Sequence, residues 1–132
     1  MKLDHFTLRT LDLEPMKDFF CDVLGLQIGD RPPFRFPGYW LYAKGGSDAL
    51  VHLVEGRGNS RGDDDPGVTE VATGTGAVDH VAFKGDDRDG LVARLDDGGW
   101  TYRERELPDG RARQIFIDGP EQVVIEVVVP NA

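Results

Sequence analysis

Histidine is scarce in this chain, and its three copies fall in a pattern. His5 lies in Asp4-His5-Phe6-Thr7-Leu8-Arg9 and His80 in Asp79-His80-Val81-Ala82-Phe83-Lys84, two segments that read as copies of one another. His52, in Leu50-Val51-His52-Leu53-Val54, has Glu126 of Val124-Ile125-Glu126-Val127-Val128 as its counterpart. The separations nearly agree, from 5 to 52 in the first half and from 80 to 126 in the second. Each half thus supplies two side chains of metal-ligand type. Three imidazoles and one carboxylate related by an internal duplication predict a divalent metal site, built where the two repeats face each other. Zn²⁺, Ni²⁺, Co²⁺, Fe²⁺ and Mn²⁺ all suit this donor set, one ion per site.

A single strand histidine is more often a packed core residue than a ligand. Four ligand-type residues at two pairs of equivalent positions, using every histidine of the chain, favour the metal. All four are expected mid-strand. Their neighbours Phe6, Val51, Leu53, Val81, Ile125 and Val127 then point to the opposite face, where helices cover them. Glu126 is the sharpest anomaly, a carboxylate inside the apolar run Val123 to Val129. Burying it unpaired is costly, so it should be paired, protonated or metal-bound.

The elements that must position these residues also repeat. Residues 3 to 9 alternate as a strand. Met16, Phe19, Phe20, Val23 and Leu24 then form one apolar helical stripe, with Asp12 as N-cap, Pro15 in the first turn and Gly25 at the end. Strands are expected near 26–30, 39–44 and 49–55, the last two joined by Gly45-Gly46-Ser47-Asp48. The prolines of Arg31-Pro32-Pro33-Phe34-Arg35-Phe36-Pro37 exclude a central strand there. In the second half a strand over 77–84 leads to a helix carrying Leu91, Val92 and Leu95. That helix stops at Gly98-Gly99, and strands follow near 100–106, 112–118 and 122–129. The expected class is α+β, one domain over 1–132, with module one at 1–55, a linker at 56–76 and module two at 77–132. The linker is long enough to serve as an active-site lid instead.

Composition bounds the function. A chain of 132 residues, 39% hydrophobic and 30% charged, can build one ordinary core. The net charge of −9 argues against nucleic acid or an anionic membrane surface as partner. No apolar run approaches the roughly 20 residues of a membrane span, and no signal-peptide pattern opens the chain. A single cysteine, Cys21, cannot form an internal disulfide and sits in a helix, so a structural role and a cytoplasmic location are expected. Asp63-Asp64-Asp65 and Asp86-Asp87 read as solvated loops rather than as cation sites.

The chain resembles the vicinal oxygen chelate superfamily, the glyoxalase/bleomycin resistance/dioxygenase family. The residues that carry the resemblance are Leu3-Asp4-His5, Phe19-Phe20 followed by Leu24-Gly25-Leu26, Val78-Asp79-His80-Val81, and Asp118-Gly119-Pro120 followed by Ile125-Glu126. They span essentially the whole chain. One departure stands out, because Glu121-Gln122 occupy the turn where the family usually has a glycine. The resemblance implies two βαβββ modules forming a cupped mixed sheet around a metal. It implies His5, His80 and Glu126 as a 2-His-1-carboxylate set and His52 at the fourth ligand position. The likeness is greatest to small glyoxalase I-like members.

That resemblance implies a metal-dependent lyase or isomerase acting on a small substrate with vicinal oxygens through an enediolate-like intermediate. Glu126 would move the proton, with His52 either a ligand or a base beside the metal. The alternatives are an Fe²⁺ extradiol-type dioxygenase using His5, His80 and Glu126 as its facial triad, and an antibiotic-binding (resistance) protein. Binding relatives hold the drug in an aromatic cleft between subunits. Phe34, Phe36, Tyr39, Trp40, Tyr42 and Trp100 are the residues available here, most of them better read as packing. Arg31, Arg35, Arg103, Arg105 and Arg113 offer clamps for a carboxylate or phosphate, though only some can share the cup's face. Members of this size usually form homodimers.

Overall fold

A computed structural model describes residues 1–56 and 73–131. The strand, helix, strand, strand, strand order occurs twice, giving two four-stranded mixed sheets and an α+β fold. The chain divides into two compact units, Met1–Ala72 and Thr73–Ala132.

In the first unit, β1 (Phe6–Thr10) runs parallel to β4 (Ala49–Glu55). β4 pairs antiparallel with β3 (Gly38–Tyr42), and β3 with β2 (Gln27–Gly29). The helical stripe falls where expected, but its form differs. An α-helix, α1 (Leu13–Asp18), passes into a π-helical turn over Phe19–Val23. Met16, Phe19, Phe20 and Val23 are buried with Leu41, Val51 and Leu53. Asp12 occupies the N-cap without a side-chain cap bond. Thr10 Oγ1 instead accepts from the Asp12 amide and donates to the Asp12 carbonyl. Gly25 ends the helix at φ 74°, and the Leu26 amide bonds back to the Phe20 carbonyl, a Schellman-type stop.

The second unit repeats the plan. β5 (Val81–Lys84) is parallel to β8 (Val124–Pro130), followed across the sheet by β7 (Ala112–Asp118) and β6 (Tyr102–Glu106). α2 (Arg88–Asp97) buries Leu91 and Leu95, in the unit whose sheet buries Ile115, Ile117 and Ile125. Asp87 caps α2 by accepting from the Gly90 amide at 2.9 Å. Beyond Gly98-Gly99, the Trp100 amide closes the helix on the Leu95 carbonyl.

One expectation about the site residues changes. His5 and His80 are not mid-strand, because each immediately precedes its strand and ladder pairing begins at Phe6 and Val81. Alternation marks which face a residue takes but fixes strand ends only to within a residue or two. Of the expected linker, residues 57–72 lie outside the described residues. Asp63-Asp64-Asp65 and the choice between linker and lid therefore lie there too. Its last residues are held, since the Gly74 amide donates to the Glu121 carbonyl at 2.6 Å.

The turn that lacks the usual glycine is strained. Glu121 and Gln122 stand at φ 54° and 62°, a left-handed conformation that costs a residue with a Cβ roughly 1–2 kcal/mol. Gln122 is exposed. Gln122→Gly is expected to raise stability by about 0.5–1 kcal/mol, after the greater flexibility of glycine in the unfolded chain is subtracted. A higher urea midpoint at unchanged slope is the readout, and a lower midpoint counts against strain at this turn.

Candidate functional site

In the second unit, His80 enters β5 beside β8, whose Glu126 is 4% exposed. His80 Nε2 lies 2.9 Å from Glu126 Oε2, and His80 Nδ1 lies 2.7 Å from Asp79 Oδ2. The other carboxylate oxygen, Oε1, accepts from Gln114 Nε2 at 2.6 Å, and Gln114 Oε1 accepts from Arg105 Nε at 2.7 Å. A continuous chain thus runs from Arg105 through Gln114, Glu126 and His80 to Asp79. Of the three states expected for Glu126, paired, protonated or metal-bound, these two partners supply pairing. Phe116, directly opposite Glu126 on β7, meets the His80 ring edge-on at 5.4 Å. The Asp79 hydrogen bond, and then Glu126, hold the His80 pKa above the usual histidine value.

The first unit carries the matching pair. His5 Nδ1 lies 2.6 Å from Asp4 Oδ2, the same adjacent Asp–His unit as Asp79–His80. His52 on β4 faces Trp40 on β3, as Glu126 faces Phe116. The His52 ring is sandwiched between His5 at 3.8 Å and Trp40 at 3.9 Å, both nearly parallel to it. Phe34 lies beyond Trp40 at 6.5 Å and stacks on Phe36 at 4.9 Å. Burial, reinforced by His5, lowers the His52 pKa and keeps the ring neutral near pH 7. A neutral imidazole is the form that ligates a metal.

A ligating histidine usually gives its second ring nitrogen to a carboxylate, which fixes the tautomer. Asp4 and Asp79 do this for His5 and His80 and leave each Nε2 for a ligand. His80 Nε2 already converges with Glu126 Oε2. The donor chemistry of this pair fits. The stacked pair fits only after a rotation. An ion midway between rings 3.8 Å apart sits about 1.9 Å out of each plane. That is nearly the whole zinc–nitrogen distance of about 2.0–2.1 Å, whereas imidazole ligates in its own plane. One ring must therefore leave the stack for His5 and His52 to share an ion. Among the described residues no three His, Cys, Asp or Glu side chains gather as a ligand set.

Residue types alone did not single out Gln114 or assign Asp4 and Asp79 a task. The duplicated Asp-His dipeptide was the available signal for the aspartates. Gln114 needed the strand register, since it shares the parity of Phe116, the residue opposite Glu126. The arginines divide. Arg103 and Arg105 face Phe116, while Arg113 pairs with Glu104. Arg31 folds inward, donating to the carbonyls of Gly38 and Phe36. Cys21 is half-buried, and burial pushes its thiol pKa up, as suits a structural residue. Among the described residues no helix is long and apolar enough to cross a membrane.

The family model of the Glyoxalase/Bleomycin resistance protein/Dioxygenase superfamily matches residues 2–127, and the chain belongs to that superfamily. A probable lactoylglutathione lyase from Synechocystis sp. is 25% identical, over 97% of this chain and 95% of that protein. Two solved structures share the fold. A lactoylglutathione lyase from Agrobacterium tumefaciens is 22% identical over 97% of this chain and 92% of its own, with a TM-score of 0.68. An antibiotic binding protein from Streptomyces sp. is 22% identical over 99% of this chain and 97% of its own, with a TM-score of 0.67.

Proposed function

We propose that residues 1–132 form one metal-dependent lyase or isomerase domain of the glyoxalase type. It would act on a small substrate with vicinal oxygens, with His5, His52, His80 and Glu126 holding one divalent ion. The observation that carries this reading is the repeated Asp–His unit, with His80 Nε2 already set against the buried Glu126. The likeness to a probable lactoylglutathione lyase supports it. The reading includes a homodimer in the cytoplasm.

A bound divalent ion supplies Lewis acidity to two neighbouring substrate oxygens. The chain's own residues do the rest. Glu126 takes a proton from the substrate carbon and returns it, because it is shielded from water and held by Gln114 on Oε1. Asp4 and Asp79 hold their histidines in one tautomer. His52, kept neutral, serves as the fourth ligand or takes a proton itself. A second reading, antibiotic or small-molecule binding, is favoured by the run of aromatic rings from Phe36 through Phe34 and Trp40 to His52 and His5.

Elemental analysis of purified and reconstituted protein, wild type beside His52→Ala, separates these readings. Near-stoichiometric nickel, zinc or cobalt in wild type, lost in His52→Ala, is the expected outcome. Iron retained in His52→Ala moves the reading to extradiol-type dioxygenase chemistry on His5, His80 and Glu126. Wild type that takes up no metal overturns both enzyme readings and leaves the binding protein.

A further inference from the structure

We propose that Arg103 and Arg105 form a subsite for an oxyanion, carboxylate or phosphonate, carried on a flat apolar body that rests on Phe116. β6 and β7 run antiparallel with Arg103 opposite Phe116 and Arg105 opposite Gln114. Alternate positions of a strand share a face, so both arginines stand on the face that carries Gln114, Phe116 and Glu126. Their guanidinium carbons lie 5.9 and 5.3 Å from the centre of the Phe116 ring. Together with Val124, Asp79 and Glu104 they line a cavity of about 340 Å³.

The charge balance points to an anion. The chain carries a net charge of −9, and three other arginines of the second unit are matched to acids. Arg88 binds Glu104 and Asp89, Arg113 binds Glu104, and Arg111 lies beside Asp109. Arg103 has no carboxylate partner among the described residues, and Arg105 gives its Nε to the neutral Gln114 amide. The two acids of the lining are already engaged. Asp79 is bonded to His80, and Glu104 takes two bonds from Arg88 and one from Arg113. Two cations held over the Phe116 ring keep planar forks for an oxyanion, and Val124 adds an apolar side to the cavity. An anion on Arg105 would sit one amide away from Glu126, since Gln114 bridges the two. The use of this subsite in turnover rests on the lyase or isomerase reading. Binding there does not, because it needs only the arginines and Phe116.

The test is calorimetric titration of chelator-treated, metal-free protein with benzoate, phenylphosphonate and neutral benzamide. Wild type, Arg103→Gln and Arg105→Gln are compared with Arg111→Gln, an exposed arginine beside Asp109 and outside the cavity lining. Benzoate is expected to bind wild type saturably and at least about tenfold tighter than benzamide, with each of the two variants weakening it roughly tenfold and Arg111→Gln leaving it unchanged. Phenylphosphonate binding tighter than benzoate, with the same arginine dependence, supports the subsite and assigns it to phosphonates. No saturable binding of either anion, equal affinity for benzamide, or variants that behave like Arg111→Gln would overturn it. Because the protein is metal-free, a failure here is separate from a failure of the metal site.

Discussion

Glu126→Ala is expected to lower divalent-metal affinity by more than the roughly 10–100-fold that removal of an outer hydrogen-bond partner costs a metal site. Asp79→Asn provides that smaller reference loss. It keeps the size of the side chain but gives up the charge that fixes His80 Nδ1, 2.7 Å away. Glu126→Ala does more, removing the only carboxylate of the proposed ligand set and leaving the Gln114 amide and His80 Nε2 without their acceptor. A buried donor left unpaired costs about 1–3 kcal/mol, so part of the effect could come from a disturbed sheet. Glu126→Gln controls for this by keeping the shape and one carbonyl acceptor while removing the charge. Competition titration with a metal-sensitive chelator reads all three, beside circular dichroism to verify the fold. The expected order of affinity is wild type, then Asp79→Asn, then the two Glu126 variants. Wild-type affinity in both Glu126 variants would remove Glu126 from the ligand set, whatever the wild-type protein binds.

Much of this arrangement was legible from residue type and spacing. Duplication located four ligand-type residues, and period-two alternation put Val51 and Leu53 on the buried face with His52 on the other. The apolar stripe Met16, Phe19, Phe20 and Val23 announced a buried helix, because spacing of three and four survives a change from α to π winding. Spacing did not reveal the winding itself, which depends on hydrogen-bond register. Nor did it reveal that His5 and His80 sit one residue ahead of their strands, since polarity alternates identically on either side of a strand end. Cross-strand partners lay furthest from view. The pairings of Trp40 with His52 and of Phe116 with Glu126 need the ladder register, and so does the side on which Arg103 and Arg105 stand. Only Glu121-Gln122 showed a departure in advance, and there the structure stores strain.

Gly38→Ala is expected to destabilise the protein by about 2–4 kcal/mol, combining overpacking of roughly 1–3 kcal/mol with weakening of about one hydrogen bond. A Cβ at position 38 would lie 2.3 Å from the Leu53 carbonyl oxygen. That atom is backbone in the neighbouring strand, so no side-chain rotation relieves the overlap and the β3–β4 ladder must shift. The Gly38 carbonyl also accepts from Arg31 Nη1, and Arg31 Nη2 ties down the Phe36 carbonyl two residues earlier. Moving Gly38 therefore loosens the proline-containing segment that presents Phe34 and Phe36 toward Trp40 and His52. Gly85→Ala is the matched comparison. Its Cβ would meet Val127 Cγ1 at 2.8 Å, a methyl group that can turn away. The loss there should be about 1 kcal/mol, within the range of a tolerated core adjustment. Urea titrations of the two variants decide the matter, because only a backbone obstruction makes Gly38→Ala the more damaging. Equal shifts of the midpoint would mean that β3 and β4 can slide apart, and that the pairing of Trp40 with His52 is looser than the ladder register implies.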